Sequence, residues 1–206
     1  MFNRNEKLSD YVKLYPAVAT LIMINLIVYL IGLIPSIGTL ILNYGAAANW
    51  LIGYGEYWRL LTAVFIHGGF LHILSNMFWL YVFGPELEKI AGRARFVFIF
   101  LVSGIVGNVA TYFIQDLNYV SVGASGAVFG MLGAYLALVY YTRNIFPQLR
   151  QMILPLVVIS VIITFLQPNV NATAHIAGLV TGAIIGFINF HPKNIMKWRQ
   201  KRRIQL

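Results

Sequence analysis

The chain contains no cysteine, and only six of its 206 residues are acidic. The missing thiols exclude disulfides, thiolate-bound haem and a cysteine nucleophile. Charge of either sign is scarce, at 10% of residues against roughly 25% in soluble domains. With 59% hydrophobic residues, this composition excludes an ordinary soluble enzyme and defines an integral membrane protein. The length accommodates about six helices of the ~20 residues that a bilayer demands, and little else. The opening stretch, Met1 to Tyr15, is mixed in charge and leads into a full-length apolar span. It does not have the pattern of a cleaved signal peptide.

The net charge of +9 raises the question of nucleic acid, but the basic residues form no binding face. They cluster in alternate loops, and Lys193, Lys197, Arg199, Lys201, Arg202 and Arg203 gather in a C-terminal tail that also holds Trp198. That pattern is expected of a cytoplasmic anchor facing anionic lipid, with the bilayer and not nucleic acid as partner.

Charge-free stretches cover 14–55, 60–85, 96–115, 117–142 and 151–192. The first and last are too long for single helices, and each contains breakers. Pro35, Gly38, Asn43 and Gly45 interrupt the first; Gln167-Pro168-Asn169-Val170-Asn171 reads as a tight hairpin loop in the last. Six spans result, near 16–34, 68–84, 95–114, 124–141, 149–166 and 173–190. The apolar, aromatic connection 35–67 is expected in the interface as short helices or a re-entrant segment. Fourteen of the fifteen Lys and Arg residues fall on one side of this scheme, and only Arg59 on the other. The expected fold is therefore an all-α polytopic six-helix bundle with both termini cytoplasmic. A 1–15 tail, a 16–190 membrane domain and a basic 191–206 tail are its expected parts.

Orientation gives the polar residues meaning. Ser125 opens span four, His175 opens span six, and His72 and Asn76 lie in the first turns of span two. At 1.5 Å per residue, all four fall within roughly 15 Å of the outer boundary. Ionisable and polar groups inside a membrane are costly and mark functional sites. Gly178, Gly182 and Gly186 share one helical face with His175, and span four carries Gly123, Gly126, Gly130 and Gly133. Small residues at this spacing let backbones approach, which would bring the imidazole near the Ser125 hydroxyl. Small-residue packing without chemistry remains the alternative for these glycines. Interhelical hydrogen bonding remains an alternative to anion stabilisation for His72 and Asn76, which share a face of span two.

These residues resemble a family, the rhomboid intramembrane serine proteases. The likeness rests on Trp58-Arg59, His72-Ile73-Leu74-Ser75-Asn76, Gly123-Ala124-Ser125-Gly126 and Ala174-His175-xx-Gly178-xxx-Gly182, in that order and covering nearly the whole chain. It is the minimal six-span form that the chain is similar to. The resemblance implies a Ser–His dyad without an acidic third member, and none of the six carboxylates lies in spans four or six near the pair. It implies Ser125 as nucleophile, His175 as general base and later acid, and an oxyanion hole of His72, Asn76 and the Ser125 backbone N–H. Gly123 and Gly126 are expected to let substrate backbone come close.

The implied reaction is hydrolysis of a transmembrane segment of another protein near the outer boundary, with no cofactor. A metal site is not expected, because His72, His175 and Asn76 lack carboxylate or thiol partners. Span five, with Pro155, is the candidate gate. His67 and Arg59 are expected to stabilise the first loop, Arg59 through Glu56 or a lipid headgroup, and His191 to be interfacial. Two other readings compete with this one: a non-catalytic relative that binds transmembrane segments, and a small transporter. Both Ser125 and His175 are present, against the first. The cytoplasmic halves of spans four and six are closed and apolar, against the second.

Overall fold

The computed structural model describes residues 5–168 and 170–194. Arg4, Asn169, Lys197, Trp198, Arg199, Lys201, Arg202 and Arg203 lie outside the described residues. The elements in chain order are α1 (Leu8–Leu14), α2 (Pro16–Gly32), α3 (Pro35–Gly45), β1 (Ala47–Ala48), α4 (Asn49–Gly53) and α5 (Arg59–Thr62). A 3-10 turn (Ala63–Phe65) follows, then α6 (Phe70–Ala91), α7 (Arg93–Ile114), β2 (Val120–Ser121), α8 (Ser125–Thr142), α9 (Pro147–Leu166) and α10 (Ala172–Asn189).

Proline and glycine set many of these boundaries. Pro16, Pro35 and Pro147 each occupy a first helical position, where a missing N–H costs nothing. Gly92 breaks α6 from α7 at φ 86°, a conformation that side chains other than glycine rarely take. Four helices, α7 to α10, are each long and apolar enough to cross a membrane. The count rises to six if two bent pairs, α1 with α2 and the α5 segment with α6, each form one span. The connection between α2 and α6 is not a span of its own but the succession α3, β1, α4 and α5, held to the bundle by polar contacts.

The bundle is built around α8. In α8, 72% of the span is buried, against 22% in α9. Its glycine face lies against α10 so closely that a methyl group at Gly178 would collide with the Gly126 carbonyl, and one at Gly182 with the Gly130 carbonyl. Further along, Gly186 packs on Ala134 and Ala137. The contacts advance together along both helices, so α8 and α10 run parallel and begin at the same end. Lipid is as apolar as leucine, so this backbone-to-backbone seam is held by van der Waals contact and not by exclusion of water. On the third side of α8, Gly130 also faces Ser103 of α7 and the Tyr135 hydroxyl donates to the Phe83 carbonyl of α6 at 2.6 Å.

The far end of the bundle is tied by charge. Buried Glu88, near the end of α6, accepts the Ala17 N–H at 3.1 Å and the Val18 N–H at 2.9 Å. A carboxylate there satisfies amides that the first turn of α2 leaves unpaired and complements the positive end of that helix. Residues 1–15 are not wholly peripheral: Tyr11 and Tyr15 are buried in the core, and the Tyr11 hydroxyl donates to the Tyr81 carbonyl at 3.2 Å.

Three stability outcomes follow from these contacts. Gly182→Val should lower the unfolding free energy in detergent micelles by about 1–3 kcal/mol or more, because the α8 backbone must retreat. Gly69→Ala, where an added methyl meets nothing within 4 Å, should be near neutral. Glu88→Ala should cost at least about 2 kcal/mol in the same assay through two orphaned amides.

Candidate active site at the common start of three helices

The segment before Ser125 is held by three contacts from the first loop. Strand β1 pairs with β2 antiparallel, Ala47 opposite Ser121 and Ala48 opposite Val120. The Gly123 N–H donates to the Ala63 carbonyl at 2.9 Å. The Ala124 N–H makes a long 3.5 Å contact with His67 Nε2. Between them the chain turns sharply at Gly123, φ 126°, and enters α8 at Ser125. The N–H groups of this first turn have no intrahelical carbonyl to meet, and they lie at the positive end of the helix. The Ser125 side chain is half-buried and makes no hydrogen bond among the described residues.

His175 is fixed on several sides. The Asn171 side chain caps α10 by accepting the Ala174 N–H at 3.0 Å, and Asn171 is itself tied to Thr111 of α7, its Nδ2 donating to the threonine hydroxyl at 2.9 Å. The imidazole, 8% exposed, stacks on the Phe129 ring with centroids 4.1 Å apart and planes 17° from parallel. Phe129 lies four residues after Ser125, on the same face of α8. The face of α8 that starts with the serine is thus the face that meets the histidine. On its other side, His175 Nδ1 lies 2.8 Å from the Thr164 hydroxyl of α9.

His72 and Asn76 approach from α6. A methyl group added at Gly123 would stand 2.5 Å from His72 Nε2, so the imidazole reaches the turn before the serine. Buried Asn76 spends one amide hydrogen on the His72 carbonyl, at 3.0 Å. A carboxamide has two such hydrogens, and the second is free for another acceptor.

The structure departs from the expectation for two glycines. The bare sides of Gly123 and Gly126 were expected to admit substrate backbone. Gly123 instead makes room for His72, and Gly126 for Ala174, whose carbonyl would lie 3.3 Å from an added methyl. Residues of the protein already occupy the space that the missing side chains leave. Arg59 is 2% exposed and pairs with Glu56, its Nε donating at 2.7 Å, and it also donates to the carbonyls of Ala46 and Asn43. It is a brace for the loop. His67 serves that loop too, but also touches the site, its ring 5.0 Å from that of His72. Phe129 and Thr164 escaped the sequence reading. A phenylalanine and a threonine in apolar helices carry no signal until their neighbours are known.

A helical bundle with several segments long and apolar enough to cross a membrane defines an integral multi-pass membrane protein, and serine, histidines and asparagine gather at one end of it. Residues 54–192 match the family profile described as Rhomboid domain. The chain is 36% identical over 191 residues to the putative rhomboid protease YdcA of Bacillus subtilis, covering 91% of this chain and 96% of that one. It is also 37% identical over 140 residues to the rhomboid protease GluP of the same organism, covering 68% of this chain and 27% of that one. RHOMBOID-like protein 5 of Arabidopsis thaliana matches at 37% identity over 158 residues, 75% of this chain and 50% of that one. The chain spans about half or less of these last two relatives. It belongs to the rhomboid family and is a serine protease of the rhomboid type.

Gly123→Ala should therefore disable the enzyme without unfolding it. The new methyl must displace the His72 ring, and the left-handed backbone adds a penalty of roughly 1–2 kcal/mol. Cleavage of a membrane-embedded reporter should fall at least about tenfold, while the melting temperature in micelles shifts by only a few degrees.

Proposed function

We propose that this protein is an intramembrane serine endopeptidase that cuts transmembrane segments of other membrane proteins near the outer membrane boundary. Ser125 is the nucleophile and His175 the base that takes its proton and returns it to the leaving amine. A serine hydroxyl is a weak nucleophile without such a base, and a neutral imidazole suits the task near neutral pH. The attack produces a tetrahedral oxyanion. His72, the free amide hydrogen of Asn76 and the Ser125 N–H at the start of α8 are the donors for it, each worth about 3–4 kcal/mol in the transition state. The observation that carries this reading is the convergence of α6, α8 and α10 at one end. Phe129, on the serine's face of α8, stacks on the proposed base at 4.1 Å.

The chain acts as a six-span protein of a bacterial plasma membrane with both termini cytoplasmic, the membrane domain covering 16–190 between short tails. The sequence asymmetry of fourteen basic residues against one supports this orientation. A substrate helix satisfies its own amides, so it must unwind locally before its scissile carbonyl can meet Ser125. Helix α9, the least buried of the four long apolar helices, is the candidate gate for its entry.

Ser125→Ala and His175→Ala should each abolish cleavage of a reporter carrying a transmembrane segment, while the protein still inserts and melts normally. A fluorophosphonate should label the unaltered protein and not Ser125→Ala. Retained cleavage in both variants would defeat the assignment.

A further inference from the structure

Thr164 is buried, at 3% exposure, in a helix whose other faces are largely apolar and lipid-facing. Its hydroxyl makes two contacts. One is with its own helix, donating to the Ser160 carbonyl at 2.9 Å; the other is with His175 Nδ1 at 2.8 Å. A hydroxyl has one hydrogen. If that hydrogen goes to Ser160, the threonine oxygen is left as acceptor, and the bond to His175 requires the proton on Nδ1. The chain then runs from Nδ1–H to the Thr164 oxygen and from its hydroxyl to the Ser160 carbonyl, with each hydrogen matched to an acceptor.

From this geometry we infer that Thr164 is a positioning residue for His175. It holds the proton on Nδ1, leaves the Nε2 lone pair free, and fixes the ring against Phe129. This rests on the proposed role of His175 as base. A serine hydrolase needs one imidazole nitrogen bearing hydrogen and oriented away from the nucleophile, so that the other can take the hydroxyl proton. The wrong tautomer costs such an enzyme up to about 10⁴-fold in turnover. Carboxylates commonly fill this place. Here a neutral hydroxyl does so at a depth where an unpaired carboxylate would be expensive. The hydrogen bond also crosses between α9 and α10, so the base is in register only while α9 is packed against the bundle.

The test combines kinetics with the ring nitrogen signals of 15N-histidine-labelled protein in micelles, His175 being assigned by difference with His175→Ala. The unaltered protein should show His175 protonated at Nδ1 and bare at Nε2. Thr164→Val, nearly the same shape, should lose that preference and lower kcat by about tenfold to a hundredfold with KM unchanged within twofold. Thr164→Ser should keep both the tautomer and most of the rate. Three results would overturn the inference: an Nε2-protonated His175 in the unaltered protein, a Thr164→Val kcat equal to it, or a reduced kcat with the tautomer intact. The proposed dyad fails by a different observation, namely cleavage by Ser125→Ala, which leaves the tautomer measurement unaffected.

Discussion

Everything at the site depends on the closeness of α8 and α10. Where Gly178 and Gly182 lie against Gly126 and Gly130, the two helices touch backbone to backbone. No side chain stands between them. In lipid such contact must come from packing, because there is no water to expel. Its consequence is geometric. A serine at the start of one helix and a histidine at the fourth position of the other are brought to the same depth, and Phe129 can lie flat on the imidazole.

A second constraint concerns polar groups in an apolar medium, each of which requires a partner. Most of those in this bundle are spent on architecture. Glu88 caps α2, Arg59 gathers the carbonyls of the first loop, Asn171 caps α10, and Asn108 donates to the Leu60 carbonyl at 2.9 Å. The half-buried Ser125 hydroxyl has no partner among the described residues. Buried Asn49 Oδ1, Ser103 Oγ and Ser121 Oγ likewise have no partner among the described residues. The bonded groups hold the first loop and the starts of α2 and α10 in place. The two-residue strands β1 and β2 serve the same end by fastening the first loop to the turn at Gly123.

Much of this was legible in the amino-acid order. Apolar runs interrupted by proline, glycine and charge mark where helices begin and end. Four separated motifs mark the family, and the residue types at one depth mark the candidate site. Arg59 beside Glu56 was readable as a local pair because the partners are three residues apart. Other features were hidden for a common reason. Glu88 lies 70 residues from the amide it caps, and Thr111 lies 60 residues from the asparagine it steadies. Gly126 was legible as a residue that lets α10 approach, but His72 beside Gly123 was not, since a missing side chain does not say what fills its place.

Sequence alone determined the membrane class, most of the helical segments and the candidate site residues, because hydropathy, charge and helical period are local properties of the chain. Tertiary structure decided which atoms those residues face. Only packing brings Thr164 to His175 Nδ1, His72 to the turn before Ser125 and Phe129 beneath the imidazole. Each of those contacts depends on the rotation and depth of one helix against another, which distant side chains set together.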